Sequence, residues 1–253
     1  MQAEQDALIH DLYEARRNGA QPSRIDQIPS ELDAALALQL SVLNRFETEG
    51  ESLGGWKVGL TSGKARDRMG KDFRPFGYVL HSRIFRSGAT VPVGPIMNCH
   101  IEPELCLIIG SPLRGAEVDR EHAKEAVRAV APAFEINEIR VQPDKGHAPL
   151  LADGLAQWGI VVGLEVPVRE GLVDTTVELC FDGQVVETKT PGATMDDPYL
   201  SLSRLCRLLD KFGLGLEPGQ RVITGSFCHH AVTQAGIYTA DFSDIGAVSV
   251  RFS

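Results

Sequence analysis

One stretch limits what this chain can fold into more than any other: residues 101–109, IEPELCLII. It is apolar enough for a buried strand, yet it carries Glu102 and Glu104 two residues apart. Side chains alternate faces along a strand, so both carboxylates project from the same face. Ionised carboxylates are seldom buried unless they are paired or bind a metal. Two on one face repel each other unless a cation lies between them. The stretch is read here as half of a divalent-metal site; the competing reading is a half-exposed strand with a solvated acidic face.

The rest of the 253-residue sequence bounds the setting. Its size suits one large domain, or a core with a smaller appended part. A net charge of −9 argues against a nucleic-acid backbone as partner. No apolar run approaches the roughly 20 residues needed to span a bilayer, and the N-terminus lacks a signal-peptide core. A cytoplasmic, membrane-free protein is the expectation. Cys99, Cys106, Cys180, Cys206 and Cys228 are scattered, with no zinc or redox spacing, and read as reduced fillers.

Residues 3–17 show helical periodicity through Leu8, Leu12 and Ala15. Ser30 is a candidate N-cap for a second helix carrying Leu32, Leu36, Leu40 and Leu43. This helical pair could serve as a lid, a dimer surface or a packing layer. GGWKVGLTS (54–62) reads as a short strand that turns Lys57 away from Trp56 and Val58, with Ser62 capping a short helix that ends near Gly70. FGYVL (76–80) is a strand, and 88–95 a strand and turn. The spacing predicts a helix over 119–131, stopped by Pro132, then a strand through APAFEINEI. Glu135 and Glu138 there fall on opposite faces, so only one can join the site. Residues 141–154 read as a polar loop of the kind that often carries function. Three strands follow, with Asp182 and Gly183 a hairpin turn. A helix over 198–212 and strands at 219–227, 234–241 and 247–252 complete the chain. The pattern is α+β: a mostly helical part over 1–75 on a mixed β-roll or sandwich core over 76–253, joined as one unit.

Glu102, Glu104 and Glu135 would form a set of hard oxygen ligands suited to Mg²⁺ or Mn²⁺; without a neighbouring His or Cys, zinc is disfavoured. Lys57 is either an exposed strand lysine or a cation facing a metal-bound oxyacid. Gly59, Thr61 and Ser62 would let backbone and hydroxyls approach an anion. In GSFCHH (225–230), Ser226 sits in a turn, and at most one of His229 and His230 can face a site. No serine has the elbow of a hydrolase triad, and GLTSGK lacks Walker spacing.

Taken together, GWKVGLTS, the FG of FRPFGYVL, IEPELCLIIG, PAFEINEIR, LLADGLAQWGIVVG and LEPGQRVITGSF resemble the 2-hydroxypenta-2,4-dienoate (2-keto-4-pentenoate) hydratases and 4-oxalocrotonate decarboxylases. These belong to the fumarylacetoacetate-hydrolase-like superfamily, and the likeness spans nearly the whole chain. It implies helices on a mixed β-roll, and Mg²⁺ or Mn²⁺ held by Glu102, Glu104 and Glu135 in preference to Glu138. It places Lys57 in the active site, with Asp153 and Asp72 as further catalytic candidates. It places Ser226 where the family's Gly-Ser turn lines the substrate pocket; Thr61, Ser62, Phe76, Gly77 and His229 are the further candidate substrate contacts, although His229-His230 departs from the family pattern. The implied reaction is hydration of a 2-hydroxy-2,4-dienoate to a 4-hydroxy-2-oxo acid in aromatic meta-cleavage catabolism. Decarboxylation of a 4-oxalocrotonate-type diacid, acylpyruvate C–C hydrolysis and a non-catalytic partner role are the alternatives. A homo-oligomer, and association with a pathway enzyme, are also implied. This chain has Pro75-Phe76-Gly77 where the family's hydratases carry Asp-Phe-Gly.

Overall fold

A computed structural model describes residues 2–253. In chain order its helices are α1 (Gln2–Asn18), α2 (Leu32–Thr48), α3 (Arg120–Ala126), α4 (His147–Ala152) and α5 (Pro198–Asp210). One sheet holds β1 (Leu53–Val58), β2 (Phe76–Leu80), β3 (Ile84–Arg86), β5 (Cys99–Ile109), β6 (Val127–Glu138), β7 (Gln157–Val162), β10 (Arg221–Ser226) and β11 (His230–Ala231). A second holds β4 (Ala89–Val91), β8 (Val177–Phe181), β9 (Gln184–Lys189), β12 (Gly236–Phe242) and β13 (Gly246–Phe252).

The large sheet runs β2-β1-β10-β5-β6-β7-β3, with β11 on β5. A single 3-10 turn, His81–Arg83, carries the chain from β2 at one edge directly to β3 at the other. The chain thus ties the two edges together, β2 packs against β7, and the sheet curls into a roll. Period-2 alternation then divides the side chains between an inside and an outside. Val79, Cys106, Ile108, Ala131, Ala133, Ile160 and Ile223 form a small core of their own, the inside of the roll. Their neighbours in sequence, such as Tyr78, Leu105, Leu107, Phe134, Val161 and Val222, join the larger core outside, against the helices and the second sheet. Small and β-branched residues fill the inside because little volume remains within so tight a curl. Glu102 and Glu104 continue the inward register of Cys106 and Ile108, as Glu135 continues that of Ala131 and Ala133. Alternation alone therefore brings all three carboxylates to one mouth of the roll.

The N-terminal helices are a packing layer. Leu36, Val42, Leu43 and Phe46 of α2 are buried, and the Gln39 amide donates to the carbonyls of Phe76 (3.1 Å) and Leu151 (2.6 Å). The helical layer ends at Thr48, and β1, which precedes residue 75, lies inside the large sheet between β2 and β10. No described helix is long and apolar enough to cross a membrane.

Four local expectations are corrected. The helix expected over 119–131 stops at Ala126, and Val127 onward is strand; the Val and Ala residues of VRAVAP pair with β5, and long-range pairing overrides local propensity. Pro132 is tolerated because it lies just past the last β6–β7 pair, Ala133↔Val162, where no ladder bond is lost. Residues 141–154 include a 3-10 turn and α4 rather than open loop. Ser30 does not cap α2, which starts one residue too late; Glu31 holds the cap position without a side-chain bond. Ser62 does not cap either: only the 3-10 turn Gly63–Ala65 follows, and its hydroxyl donates to the Ser226 carbonyl (3.0 Å).

The 59–75 segment that Ser62 opens is pinned from outside. The buried Asp196 carboxylate accepts from Arg74 (2.5 Å) and from Arg204 of α5 (2.7 Å), is ion-paired with Arg66 (2.7 Å), and its N–H donates to the Thr61 carbonyl (2.8 Å). Removing one partner from a buried ion cluster leaves uncompensated charge, at about 3 kcal/mol or more. Asp196→Asn should lower Tm by roughly 6–12 °C in a chain of this size. A Tm within a degree of wild type would show that the cluster does not hold this segment.

Candidate metal centre

At the mouth, Glu102 lies directly across from Glu135 in the β5–β6 register, with Glu104 two residues further along β5. One carboxylate oxygen from each lies within 4.8 Å of the others. Glu135 is wholly buried and Glu104 nearly so, while Glu102 is the most accessible. A bulge in β10, between Ile223 and Ser226, breaks the pairing beside Glu104 and turns the Gly225 N–H onto its Oε2 (2.8 Å). Glycine is required there: φ is +151°, and a Cβ would stand 2.5 Å from Thr61 Oγ1.

Lys57 occupies an inward position of β1. Opposite it, Gly77 leaves room for the lysine stem, since a Cβ there would be 3.1 Å from Lys57 Cγ and 2.7 Å from the Gly154 carbonyl. The ammonium lies 2.5 Å from Glu135 Oε1 and donates to the carbonyls of Leu155 (3.1 Å) and the Asn137 side chain (3.3 Å). Leu155 and Ala156 both have positive φ, 57° and 59°, in the turn that presents the Leu155 carbonyl. Such strain persists where surrounding structure over-determines it, and here it serves the lysine. Gln157, with its amide oriented to satisfy both ends, donates to Glu135 Oε1 (2.5 Å) and accepts from the Gly159 N–H (3.2 Å).

The charges do not balance without a further cation. Burial, and after it the neighbouring Glu135 and Glu102, push Glu104 well above the usual carboxylate range. Burial likewise raises Glu102 and Glu135, the latter to about 7 despite the opposing pull of Lys57. Burial alone would lower Lys57, but Glu135 and Glu102 outweigh it and hold its ammonium above the ordinary lysine value. Glu135 Oε2 is buried with no hydrogen-bond partner. A convergent all-oxygen set with an orphaned acceptor fits a hard divalent cation.

These groups open into a cavity of about 350 Å³, walled by Ile139, Val141, Leu150 and Leu155, with Thr61, Ser62, Ser226 and His229 around it. Eight expected site residues are thus brought together: the three glutamates, Lys57, Thr61, Ser62, Ser226 and His229. Ser226 keeps its own hydroxyl on the Cys228 carbonyl (2.7 Å), and His229 Nδ1 lies 3.9 Å from Glu102.

Four others lie elsewhere. The Asp153 carboxylate is buried on the outer side of β6, held by Arg140 (3.1 Å), which also pairs with Glu138. Asp72 is largely exposed and pairs with Arg204. Neither lines the cavity, so neither is placed to move a proton there. Phe76 points outward, edge-on to Trp56 and Phe212, and Gly77 acts through the space it leaves for Lys57. Sequence reasoning missed Asn137, though its spacing from Glu135 places it on the inner face. Gln157 and Arg68, which also lines the cavity, gave no such signal.

In the folded, metal-free chain Glu135 holds its proton to about pH 7, against an ordinary value of 4.5. Across that window the folded state binds a proton that the unfolded state has released, so this group's contribution to stability falls as pH rises. A bound cation displaces the proton. Mn²⁺ should therefore raise Tm more at about pH 7.5 than near pH 5, and chelation should reverse the gain. An increment that is equal, or larger at the lower pH, would contradict this charge assignment.

No family model matches the sequence. It is 28% identical over 219 residues to a 4-oxalocrotonate decarboxylase from Pseudomonas sp, covering 86% of this chain and 85% of that one. It is 25% identical over 254 residues to the 2-oxo-hept-4-ene-1,7-dioate hydratase of Escherichia coli, covering 96% and 94%. Among solved structures, the 4-oxalocrotonate decarboxylase of Pseudomonas putida G7 superposes with a TM-score of 0.91 at 23% identity, over 100% of this chain and 98% of that one. That enzyme has been captured with calcium and acetate, and with magnesium and adipate. The chain is a homologue of the 2-oxo-4-enoate hydratases and 4-oxalocrotonate decarboxylases, and its fold is that of the fumarylacetoacetate-hydrolase-like superfamily.

Proposed function

We propose that this chain is a metal-dependent hydro-lyase, converting a 2-hydroxy-2,4-dienoate to a 4-hydroxy-2-oxo acid in aromatic meta-cleavage catabolism. The observation that carries this reading is the buried Glu102–Glu104–Glu135 set with Lys57 on the same cavity. Mg²⁺ or Mn²⁺ fits its hard oxygen donors. Bound there, the cation would hold the substrate carboxylate and 2-oxygen and stabilise negative charge on that oxygen.

The chain's own groups supply the rest. Hydration needs a proton moved from the 2-hydroxyl to C5, which brings the remaining double bond into conjugation with the new ketone. Water then adds at C4 and C3 takes up a proton. Lys57 Nζ, charged and held from three sides, is the donor nearest the carboxylate set and is assigned the proton transfers or the grip on the substrate carboxylate. His229 stands half-exposed beside Glu102 at the rim, its imidazole held below the ordinary histidine value by partial desolvation and then by His100, and is assigned the positioning of water. Thr61 and Ser62 would order the substrate's polar end. The apolar wall excludes bulk water from its tail.

One observation favours a second reading. Among the described residues no carboxylate outside the three glutamates lines the cavity; Asp153 and Asp72 are committed to arginines elsewhere. Decarboxylation of a vinylogous 2-oxo diacid uses the same electron sink and needs no positioned water.

Glu104→Gln keeps the shape and removes the charge; it should abolish tight Mn²⁺ binding and lower turnover at least about 100-fold. Lys57→Met should keep the metal and lose about 10²–10⁴ in kcat/KM. Survival of both metal binding and turnover in Glu104→Gln would sink the assignment. Ultraviolet loss of the diene without CO₂ identifies hydration; stoichiometric CO₂ identifies decarboxylation.

A further inference from the structure

We propose that Arg68 binds a second, terminal carboxylate, so that the substrate is a 2-oxo or 2-hydroxydienoic diacid rather than a monoacid. This rests on the reading of the metal centre as a 2-oxo-acid site.

The segment between β1 and β2 carries three arginines, and two are spoken for. Arg66 and Arg74 both end on Asp196, and Arg74 also pairs with Asp67 (2.8 Å). The other acid of the segment, Asp72, is taken by Arg204. Arg68 is left: among the described residues its guanidinium has no hydrogen bond, ion pair or ring contact, yet it lines the cavity. The segment is clamped through Asp196 on either side of this residue, so Arg68 is held over the cavity by its backbone while its side chain stays uncommitted.

Its setting selects the ligand. Glu104 and Glu135 are buried and Glu102 is partly so, while Arg68 is exposed, so the metal centre is the floor and Arg68 part of the rim. The same cavity is walled by Ile139, Val141, Leu150 and Leu155. A polar head, an apolar stretch and a second anion match that set of surfaces. Charge supports the same match. Three glutamates, one ammonium and a divalent cation balance, and Lys57 is already engaged by Glu135. Among the described residues a second substrate carboxylate would therefore meet Arg68 as the lining cation with open donors. The guanidinium fork suits a carboxylate in bidentate fashion.

The test uses the full-length protein loaded with Mn²⁺ and two unreactive probes of equal chain length, 2-oxoadipate and 2-oxohexanoate, titrated by calorimetry. Wild type should bind the diacid about tenfold or more tightly. Arg68→Ala should bring 2-oxoadipate down to the level of 2-oxohexanoate, whose own affinity stays within about twofold; Arg68→Lys should recover part of the preference. Equal affinity of wild type for the two probes, or an equal loss on both in Arg68→Ala, overturns the assignment to Arg68. If neither probe binds the Mn²⁺-loaded protein, the 2-oxo-acid reading itself fails, and this inference with it.

Discussion

Three carboxylates face one another at the mouth of a curled sheet with a single ammonium among them, and the surrounding structure answers that imbalance. Each buried charge costs several kcal/mol unless compensated. The Gly225 N–H, the Lys57 ammonium and the Gln157 amide each quench part of the cost. What they leave is visible in the elevated proton affinity of Glu104 and in the orphaned Glu135 Oε2. A divalent cation removes both. The bulge at Gly225, the missing side chain at Gly77 and the strained turn at Leu155 and Ala156 each exist where this set must be approached closely.

A second buried charge cluster lies across the same strand. Glu138, three residues beyond Glu135, faces outward and pairs with Arg140, which also holds Asp153; Arg16 from α1 closes the group by donating to the Asp153 carbonyl (3.3 Å). This cluster is complete in arginines and lines none of the cavity. It fastens α1 and α4 to the roll. The two faces of β6 thus separate one charge set that is satisfied within the chain from one that is not.

Much of this was legible in residue spacing. The i, i+2 glutamates of 101–109 and the odd spacing of Glu135 and Glu138 assign faces without a structure, because strand alternation is strict. The Asp182–Gly183 hairpin is local chemistry and reads directly. What stayed hidden depended on distant partners. DREHAKEAVRAVAP carries a helical signal until pairing with β5 takes over at Val127. Asp153 and Asp72 have the right chemistry for a site, but which arginine each meets is decided by tertiary structure. Arg68 and Gln157 lie on segments with no periodicity to read.

The most direct test is a crystal structure of the protein soaked with Mn²⁺ and pyruvate, located by anomalous scattering. The account predicts one strong peak about 2.0–2.3 Å from an oxygen of each of Glu102, Glu104 and Glu135, with the pyruvate carboxylate and 2-oxygen on the same ion. A peak at another site, or no peak at these three carboxylates under saturating Mn²⁺, would contradict it.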